Sequence, residues 1–267
     1  MIQTIRSKVK ENPPLVHCIT NPISINQCAN AILAVGGRPI MAEHPREVRE
    51  ITASADALLL NLGNITDARM ESMMISVRKA KEKGIPIVLD AVGVACSSLR
   101  REFAVHLLGE SVPTVIKGNY SEIVALSCEA YRSQGVDAEK TLEVDFVSKV
   151  AGELAEKYQT VILASGKTDI ITDGRCMRYG YNGTAQLATI TGTGCILGAL
   201  CATYLSGNEV LDAATTACVT LGICGELAQT EEGSGSFMTN LMNMLSGIKN
   251  EDIMKYMVKE ERTIERL

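Results

Sequence analysis

Short runs of Val, Ile and Leu alternate along this chain with longer stretches of helical periodicity, and this alternation restricts its possible folds. The runs are too short for helices, and their residues are typical of buried strands. We predict strands at residues 14–18, 38–41, 57–61, 86–90, 114–116 and 160–164. Strands that alternate with helices form a parallel sheet with right-handed crossovers, so helices cover both of its faces.

The stretches between the strands are amphipathic. Asp67–Lys83 carries apolar residues on one face, and we interpret this face as core packing rather than as a cofactor-binding surface. The members of that face are Met70, Met73, Met74, Val77 and Ala80. A second helix is predicted over residues 139–157, with an apolar residue at every fourth position, namely Leu142, Phe146, Val150 and Leu154.

The later part of the chain has a different pattern. Residues 169–172 and 175–180 read as a hairpin around Asp173-Gly174. Three or four helices follow, and the two that start near Cys195 and Asp212 carry almost no charge, which predicts central positions. Because no linker, repeat or low-complexity segment occurs, we predict one α/β domain over residues 1–267 with a central, mostly parallel sheet.

Composition excludes several functional classes. The chain has 267 residues, 46% of them hydrophobic, and a net charge of −5, which argues against nucleic-acid and membrane partners. The opening residues lack the apolar core of an export signal. The nine cysteines are an odd number in mostly apolar surroundings, so we predict free thiols and a cytoplasmic location. The basic pair Arg100-Arg101 is interpreted as a solvated helix face.

Glycines stand directly before one of the uncharged helices, in the sequence Thr191-Gly192-Thr193-Gly194-Cys195. Glycines at a helix start let backbone N–H groups converge on an anion, and the helix dipole favours negative charge there. A tight turn before a buried helix is the plain alternative, and this short motif does not decide between the two.

Charged residues also follow two of the predicted strands. Asp90 ends one strand, and Lys117 and Glu122 follow the next. The carboxyl ends of parallel strands form the ligand-binding edge of such a sheet, where a carboxylate holds Mg²⁺ and a cation meets phosphate. Asn119 and Glu122 also fit a capping box, and the two interpretations are compatible.

Two other motifs are rejected. Residues 163–168 end in Gly166-Lys167-Thr168, as a phosphate-binding P-loop does, but Val161 stands at the first glycine position and a strand pattern follows. His17 and Cys18 are neighbours on a strand and point to opposite faces, so they cannot form the dyad of a thiol hydrolase.

These motifs occur in the order seen in hydroxyethylthiazole kinases, and the chain resembles that family from about Pro14 to its end. Further segments that carry the resemblance are 17–21, 29–30, 37–42, 60–63, 89–93, 117–122 and 233–237. The resemblance implies a ribokinase-like fold. It also implies transfer of the γ-phosphoryl group of ATP to 4-methyl-5-(2-hydroxyethyl)thiazole, a thiamine salvage step.

The resemblance also implies roles for individual residues. Gly192, Gly194 and Cys195 form the anion hole, with Cys195 where related kinases place an Asp base. Asp90 and Glu122 would hold Mg²⁺. The positions implied to contact ATP are Lys117 and Ser165, and those around the thiazole are Asn21, Ile23, Met41, Gly63 and Gly192. The family further implies a homotrimer with sites between subunits, in which Asn61 and Gly63 contact a neighbour's substrate.

The chain departs from the family pattern at three positions. Ala91 replaces Pro, Lys117 replaces Arg and Ser165 replaces Thr, and we expect these changes to affect ATP affinity more than reaction type. Three alternatives stay open: a related kinase for a hydroxymethylpyrimidine, an ATP-dependent repair dehydratase, and a binding or regulatory protein without catalysis. Cys195 disfavours the first two.

Overall fold

A nine-stranded sheet forms the centre of the chain, as described by a computed structural model for residues 1–127 and 142–263. The strands are β1 (Leu15–Ile19), β2 (Arg38–Ile40), β3 (Ala57–Asn61), β4 (Ile87–Asp90), β5 (Val115–Asn119), β6 (Val161–Ser165), β7 (Asp169–Thr172), β8 (Cys176–Gly180) and β9 (Lys259–Thr263). Their spatial order is β2-β1-β3-β4-β5-β6-β7-β8-β9. Strands β1 to β6 are parallel, and β7 to β9 continue the sheet in antiparallel pairing.

Helices cover both faces of this sheet. The helices are α1 (Ile2–Glu11), α2 (Ile25–Ala34), α3 (Val48–Ser54), α4 (Asp67–Lys83), α5 (Ser98–Glu110), α6 (Tyr120–Ser127), α7 (Val144–Tyr158), α8 (Thr193–Leu205), α9 (Val210–Leu227), α10 (Ser234–Gly247) and α11 (Asn250–Tyr256). Helices α1, α2 and α8 to α11 share one apolar core, and α3 to α7 share the other. The predicted α/β architecture, with its mostly parallel sheet, is confirmed.

All six strands predicted in the first part of the chain are present, and so is the hairpin of β7 and β8. Strand β9 has no counterpart in the prediction. Its sequence, Lys-Glu-Glu-Arg-Thr, shows no apolar alternation, because it lies at the edge of the sheet and pairs only with β8. Charged residues on an edge strand also hinder pairing with another chain.

The methionine-rich face of α4 packs into the core, as predicted. Met73, Val77 and Ala80 are buried, and Met70 and Met74 pack against the same cluster. The helix begins where the Thr66 side chain accepts a hydrogen bond from the Arg69 N–H, and it ends at Gly84, which has a φ of +68°.

The prediction for α7 is only partly right. The helix begins at Val144 among the described residues, and the predicted positions 139–141 lie outside them. Val150 and Leu154 are buried, but Phe146 is 49% exposed. A strict four-residue spacing rotates by about 40° at each step around a helix, so it leaves the buried face. Val147 and Ala151 occupy that face instead.

The uncharged helices α8 and α9 lie at the centre of one layer, as predicted. Helix α9 is long and apolar enough to cross a membrane by length and composition, but most of it is buried inside the protein. It packs against α8 and α10, which is the position of a core helix.

Eight cysteines lie in the described ranges, and all of them are free thiols. Cys128 lies outside those ranges. Burial raises the pKa of Cys28, Cys201 and Cys224 to about 12, so these thiols are protonated and unreactive at neutral pH.

Candidate active site

A cavity of about 460 Å³ opens at the carboxyl edge of the parallel strands. Most of the predicted site residues line it, namely Asn21, Ile23, Gly63, Lys117, Glu122, Ser165, Gly192, Gly194 and Cys195. Two do not: Asp90 lies fully buried beneath it, and Met41 packs against the apolar core. The structure therefore brings together residues that are more than 170 positions apart in the sequence, such as Asn21 and Cys195.

The glycine motif forms the start of helix α8. Gly192 precedes the helix with a φ of +92°, a left-handed conformation that glycine adopts without strain. A Cβ atom at Gly194 would lie 3.2 Å from the Lys117 Nζ, so glycine there leaves room for the ammonium group. The first N–H groups of a helix have no partner within it, and this helix begins at residues that line the same cavity as Lys117. This arrangement favours the anion-site interpretation over a plain turn.

Cys195 lies in the first turn of α8 within a network of amide groups. Its Sγ atom is 3.4 Å from Asn21 Nδ2 and 3.3 Å from Asn61 Nδ2, both of which donate toward the sulfur. Asn21 Nδ2 also donates to Asn61 Oδ1 at 3.0 Å. Asn61 is fully buried and organises the site through these side-chain bonds, while its contact with a neighbour's substrate stays a prediction.

A buried ion pair lies beneath this network. Lys117 Nζ donates to Asp90 Oδ1 at 2.9 Å, and Asn61 Nδ2 donates to Asp90 Oδ2 at 2.7 Å. Burial raises the pKa of Asp90 to about 6, and the neighbouring ammonium limits the increase. Burial also acts to lower the pKa of Lys117, but the attraction of Asp90 and Glu122 outweighs it, and the net shift is upward. The raised pKa of Lys117 favours its charged form, and an Asp90 pKa of about 6 still lies below neutral pH, so the pair is mostly ionised there.

Glu122 is fixed by the main chain. Its Oε1 accepts the Gly93 N–H and its Oε2 accepts the Asn119 N–H, each at 2.7 Å. The Glu122 N–H in turn donates to Asn119 Oδ1 at 2.9 Å, which confirms the predicted capping box. The same contacts hold the carboxylate at the edge of the cavity.

This donor set bears on whether the site suits Mg²⁺, a hard cation that prefers oxygen ligands. Glu122 fits, because its carboxylate oxygens keep lone pairs beyond the two N–H bonds and it lines the cavity. Asp90 has no exposed surface, and both its oxygens already accept hydrogen bonds. Its direct contact with the metal stays a prediction.

Ser165 ends β6 and lines the cavity, with its hydroxyl donating to the Gly118 carbonyl at 3.3 Å. The chain then turns directly into the antiparallel strand β7, so no helix follows Gly166-Lys167-Thr168. This topology confirms the rejection of a P-loop. Gly166 packs against the Tyr120 ring, and a Cβ atom at that position would lie 2.7 Å from the ring carbons.

The structure also excludes a thiol hydrolase built on His17. This ring is fully buried, and its two nitrogens lie 2.9 Å from Thr52 Oγ1 and 2.9 Å from the Ala42 carbonyl oxygen. Burial lowers its pKa. Cys18 packs into the core on the other side of the strand, as the alternation of strand side chains predicts.

Arg100 is a charged site residue that the sequence interpretation missed, and Ser24, Asn64 and Val92 are further lining residues that it did not name. Arg100 lines the cavity and does not belong to a solvated helix face. Its position in the sequence could have indicated this: Arg100 follows Asp90, the end of a strand, by ten residues and lies in the first turn of the next helix. At a sheet of this kind, the loop after a strand and the helix start that follows both face the ligand edge.

The sequence and the fold both match characterised families. The pattern of the hydroxyethylthiazole kinase family matches residues 6–251. Hydroxyethylthiazole kinase 2 of Clostridium botulinum is 44% identical, over 94% of this chain and 97% of that protein. The hydroxyethylthiazole kinase of Finegoldia magna is 44% identical over 93% of this chain and 92% of its own.

Solved structures agree with this match. The hydroxyethylthiazole kinase structure from Pyrococcus horikoshii OT3 superposes with a TM-score of 0.89 at 34% identity, and the match covers 98% of each chain. A pyridoxal kinase from Staphylococcus aureus shares the fold alone, with a TM-score of 0.64 at 14% identity over 94% of this chain and 100% of that one.

Proposed function

Because the chain belongs to the hydroxyethylthiazole kinase family, we propose that it phosphorylates 4-methyl-5-(2-hydroxyethyl)thiazole with ATP, a thiamine salvage step. In this reaction the bond between the γ-phosphorus and the oxygen bridging to ADP breaks. A bond between the alcohol oxygen and the γ-phosphorus forms, ADP leaves and the alcohol proton is released.

The observation that carries the proposal is the convergence at one cavity of a helix start and an ammonium group with a fixed carboxylate. Phosphoryl transfer depends on positioning and on neutralising charge, with little demand for a strong base. We expect the N–H groups at the start of α8, at residues 193–195, to bind the transferring phosphoryl group, with Lys117 adding positive charge beside Gly194. We also expect Glu122, which lines the same cavity, to hold Mg²⁺, which would supply further charge neutralisation when bound.

We propose that Cys195 receives the alcohol proton but that the reaction does not depend strongly on it. A thiolate is a much weaker base than an alkoxide, and phosphoryl transfer makes little demand on a base. We therefore expect Cys195→Ser to lower kcat by no more than about tenfold, and Cys195→Asp to preserve or raise it. Loss of turnover in Cys195→Ser with substrate binding intact would contradict this role.

The test of the proposed function is phosphorylation of the thiazole alcohol with Mg–ATP, with the product detected by mass spectrometry. We expect product in the wild type and its loss in Glu122→Ala. A parallel assay with a hydroxymethylpyrimidine distinguishes the related kinase. Binding of the thiazole without phosphorylation or ATP hydrolysis would instead establish a binding or regulatory protein.

The assembly and location are further parts of the proposal. We propose a homotrimer with sites between subunits, as the family resemblance implies, in which a neighbouring chain covers Ile23, 58% exposed at the rim of the cavity. Light scattering at several concentrations measures the assembly, and a monomer with full activity would contradict it. The free thiols of the described residues fit a reducing cytoplasm.

A further inference from the structure

We propose that Arg100 binds the phosphate groups of the nucleotide. This inference rests on the proposed function and extends it by naming a residue that the family resemblance does not assign. Three observations support it: the position of the guanidinium, the absence of a compensating carboxylate near it among the described residues, and the pairing of Lys117, another cation of this cavity, with Asp90.

The Arg100 side chain lies over the turn that joins β4 to α5. Its Nη1 donates a hydrogen bond to the Val92 carbonyl oxygen at 3.4 Å. Gly93 leaves room for this position, since a Cβ atom there would clash with Nη1. The N–H of the same Gly93 holds Glu122. Gly93 therefore lies next to both the Arg100 guanidinium and Glu122, the proposed magnesium ligand.

The charge of Arg100 is unusual for its position. It lies in the first turn of α5, where the helix dipole disfavours a cation, and that turn has no acidic residue. Within residues 1–127 and 142–263, no carboxylate lies within 4.0 Å of its guanidinium. An anion in the cavity would compensate this charge and would also gain from the dipole.

Lys117 cannot supply the same contact. Its side chain is 4% exposed and is bonded to Asp90, so its charge is already shared with a carboxylate. The Arg100 side chain lies at the cavity surface, and a guanidinium binds phosphate oxygens through two parallel N–H bonds. This chain has Lys117 where the family usually has Arg. Arg100 is therefore the lining residue whose guanidinium can bind phosphate through two parallel bonds.

Arg101 provides a matched control. It is the next residue on the same helix, also partly buried, and its Nη1 donates to the Val94 carbonyl at 3.0 Å. It does not line the cavity. Substituting either residue removes one arginine from the same helical turn, but only Arg100→Ala removes a cation from the cavity.

The experiment measures Mg–ADP binding by calorimetry, and KM values for ATP and for the thiazole alcohol, in Arg100→Ala, Arg100→Lys and Arg101→Ala. For Arg100→Ala we expect the Kd for ADP and the KM for ATP to rise about 10- to 100-fold, as for loss of a charged hydrogen-bond donor. The KM for the alcohol should stay within about twofold. Arg100→Lys should recover part of the loss, because it restores charge without two parallel bonds.

Arg101→Ala should bind Mg–ADP like the wild type. Unchanged ADP binding in folded Arg100→Ala, or an equal loss in Arg101→Ala, would overturn the inference. If the wild type phosphorylates the alcohol while Arg100→Ala is unaffected, this inference alone fails. A wild type that neither binds Mg–ADP nor forms product would overturn the proposed function and the inference together.

Discussion

Two carboxylates at the same edge of the sheet are held in opposite ways. Asp90 is fully buried and is bonded through the side chains of Lys117 and Asn61. Glu122 lies at the cavity edge, and its oxygens accept N–H groups of the main chain at Gly93 and Asn119. One acid depends on the identity of its neighbours, and the other depends on the path of the backbone.

Strand register explains the first arrangement. Asn61, Asp90 and Lys117 are paired residues on β3, β4 and β5, so their side chains leave the sheet on the same side and form a row. Each side chain of the row hydrogen-bonds the next one, so removal of one leaves a buried polar group without that partner. A backbone-held acid such as Glu122 tolerates changes in nearby side chains. Substitutions near the two acids should therefore differ in cost.

The largest effect is expected from breaking the side-chain row with Lys117→Met. Asp90 would then lose the ammonium that compensates its buried carboxylate, and we expect a loss of about 3–5 kcal/mol in the free energy of unfolding. Urea denaturation followed by circular dichroism measures it. Asp90→Asn in the same chain should recover more than half of the loss, because it removes the unpaired charge. If Lys117→Met alone were as stable as the wild type, this explanation of the row would be wrong.

The parallel sheet, the methionine-rich helix and the capping box were all predictable, because each depends on local periodicity or on residues three positions apart. The row beneath the cavity was not. Asn61 joins Asp90 and Lys117 only through strand register, which no short stretch of sequence encodes.

Other misses have the same origin. Arg100 looks like an ordinary surface charge until the turn at Gly93 brings it over the cavity. Strand β9 is charged, and only its partner β8 makes it a strand. The strand pattern placed Asp90 correctly at this edge of the sheet, but did not indicate its complete burial. Local patterns thus predict elements and their ends, while the depth of a side chain depends on what packs around it.

A third acid, Asp169, has neither a paired cation, among the described residues, nor two main-chain donors. Its substitution should change stability by an intermediate amount. It accepts one backbone N–H, from Gly166 at 3.1 Å, and no cation lies within ion-pair distance in the part of the chain that the structure describes. Burial raises its pKa from 3.8 to about 6, against the effect of the hydrogen bonds from Gly166 and Cys218.

The sign of the pH effect follows from proton binding. Between pH 3.8 and about 6 the folded chain binds more protons at Asp169 than the unfolded chain does, so this group makes stability fall as pH rises through that window. We expect the free energy of unfolding to fall by about 1–2 kcal/mol across this window, a value already reduced for residual solvent contact. Above the window, we expect no further change from Asp169. Asp169→Asn should flatten this part of the stability profile, and the exposed Asp145→Asn should not. Equal profiles for both variants would contradict the assignment.

The smallest effect is expected where the main chain holds the acid. Asn119→Ala removes the acceptor of the Glu122 N–H but leaves both N–H groups that bind the Glu122 carboxylate. We expect a loss of about 1 kcal/mol in stability, as for other helix caps, and a change in kcat/KM below about twofold. Thr66→Ala, which removes the cap of α4 at a residue that does not line the cavity, should cost the same stability. If Asn119→Ala lost as much activity as Glu122→Ala, the cap side chain would be holding the carboxylate, and the contrast with Asp90 would be wrong.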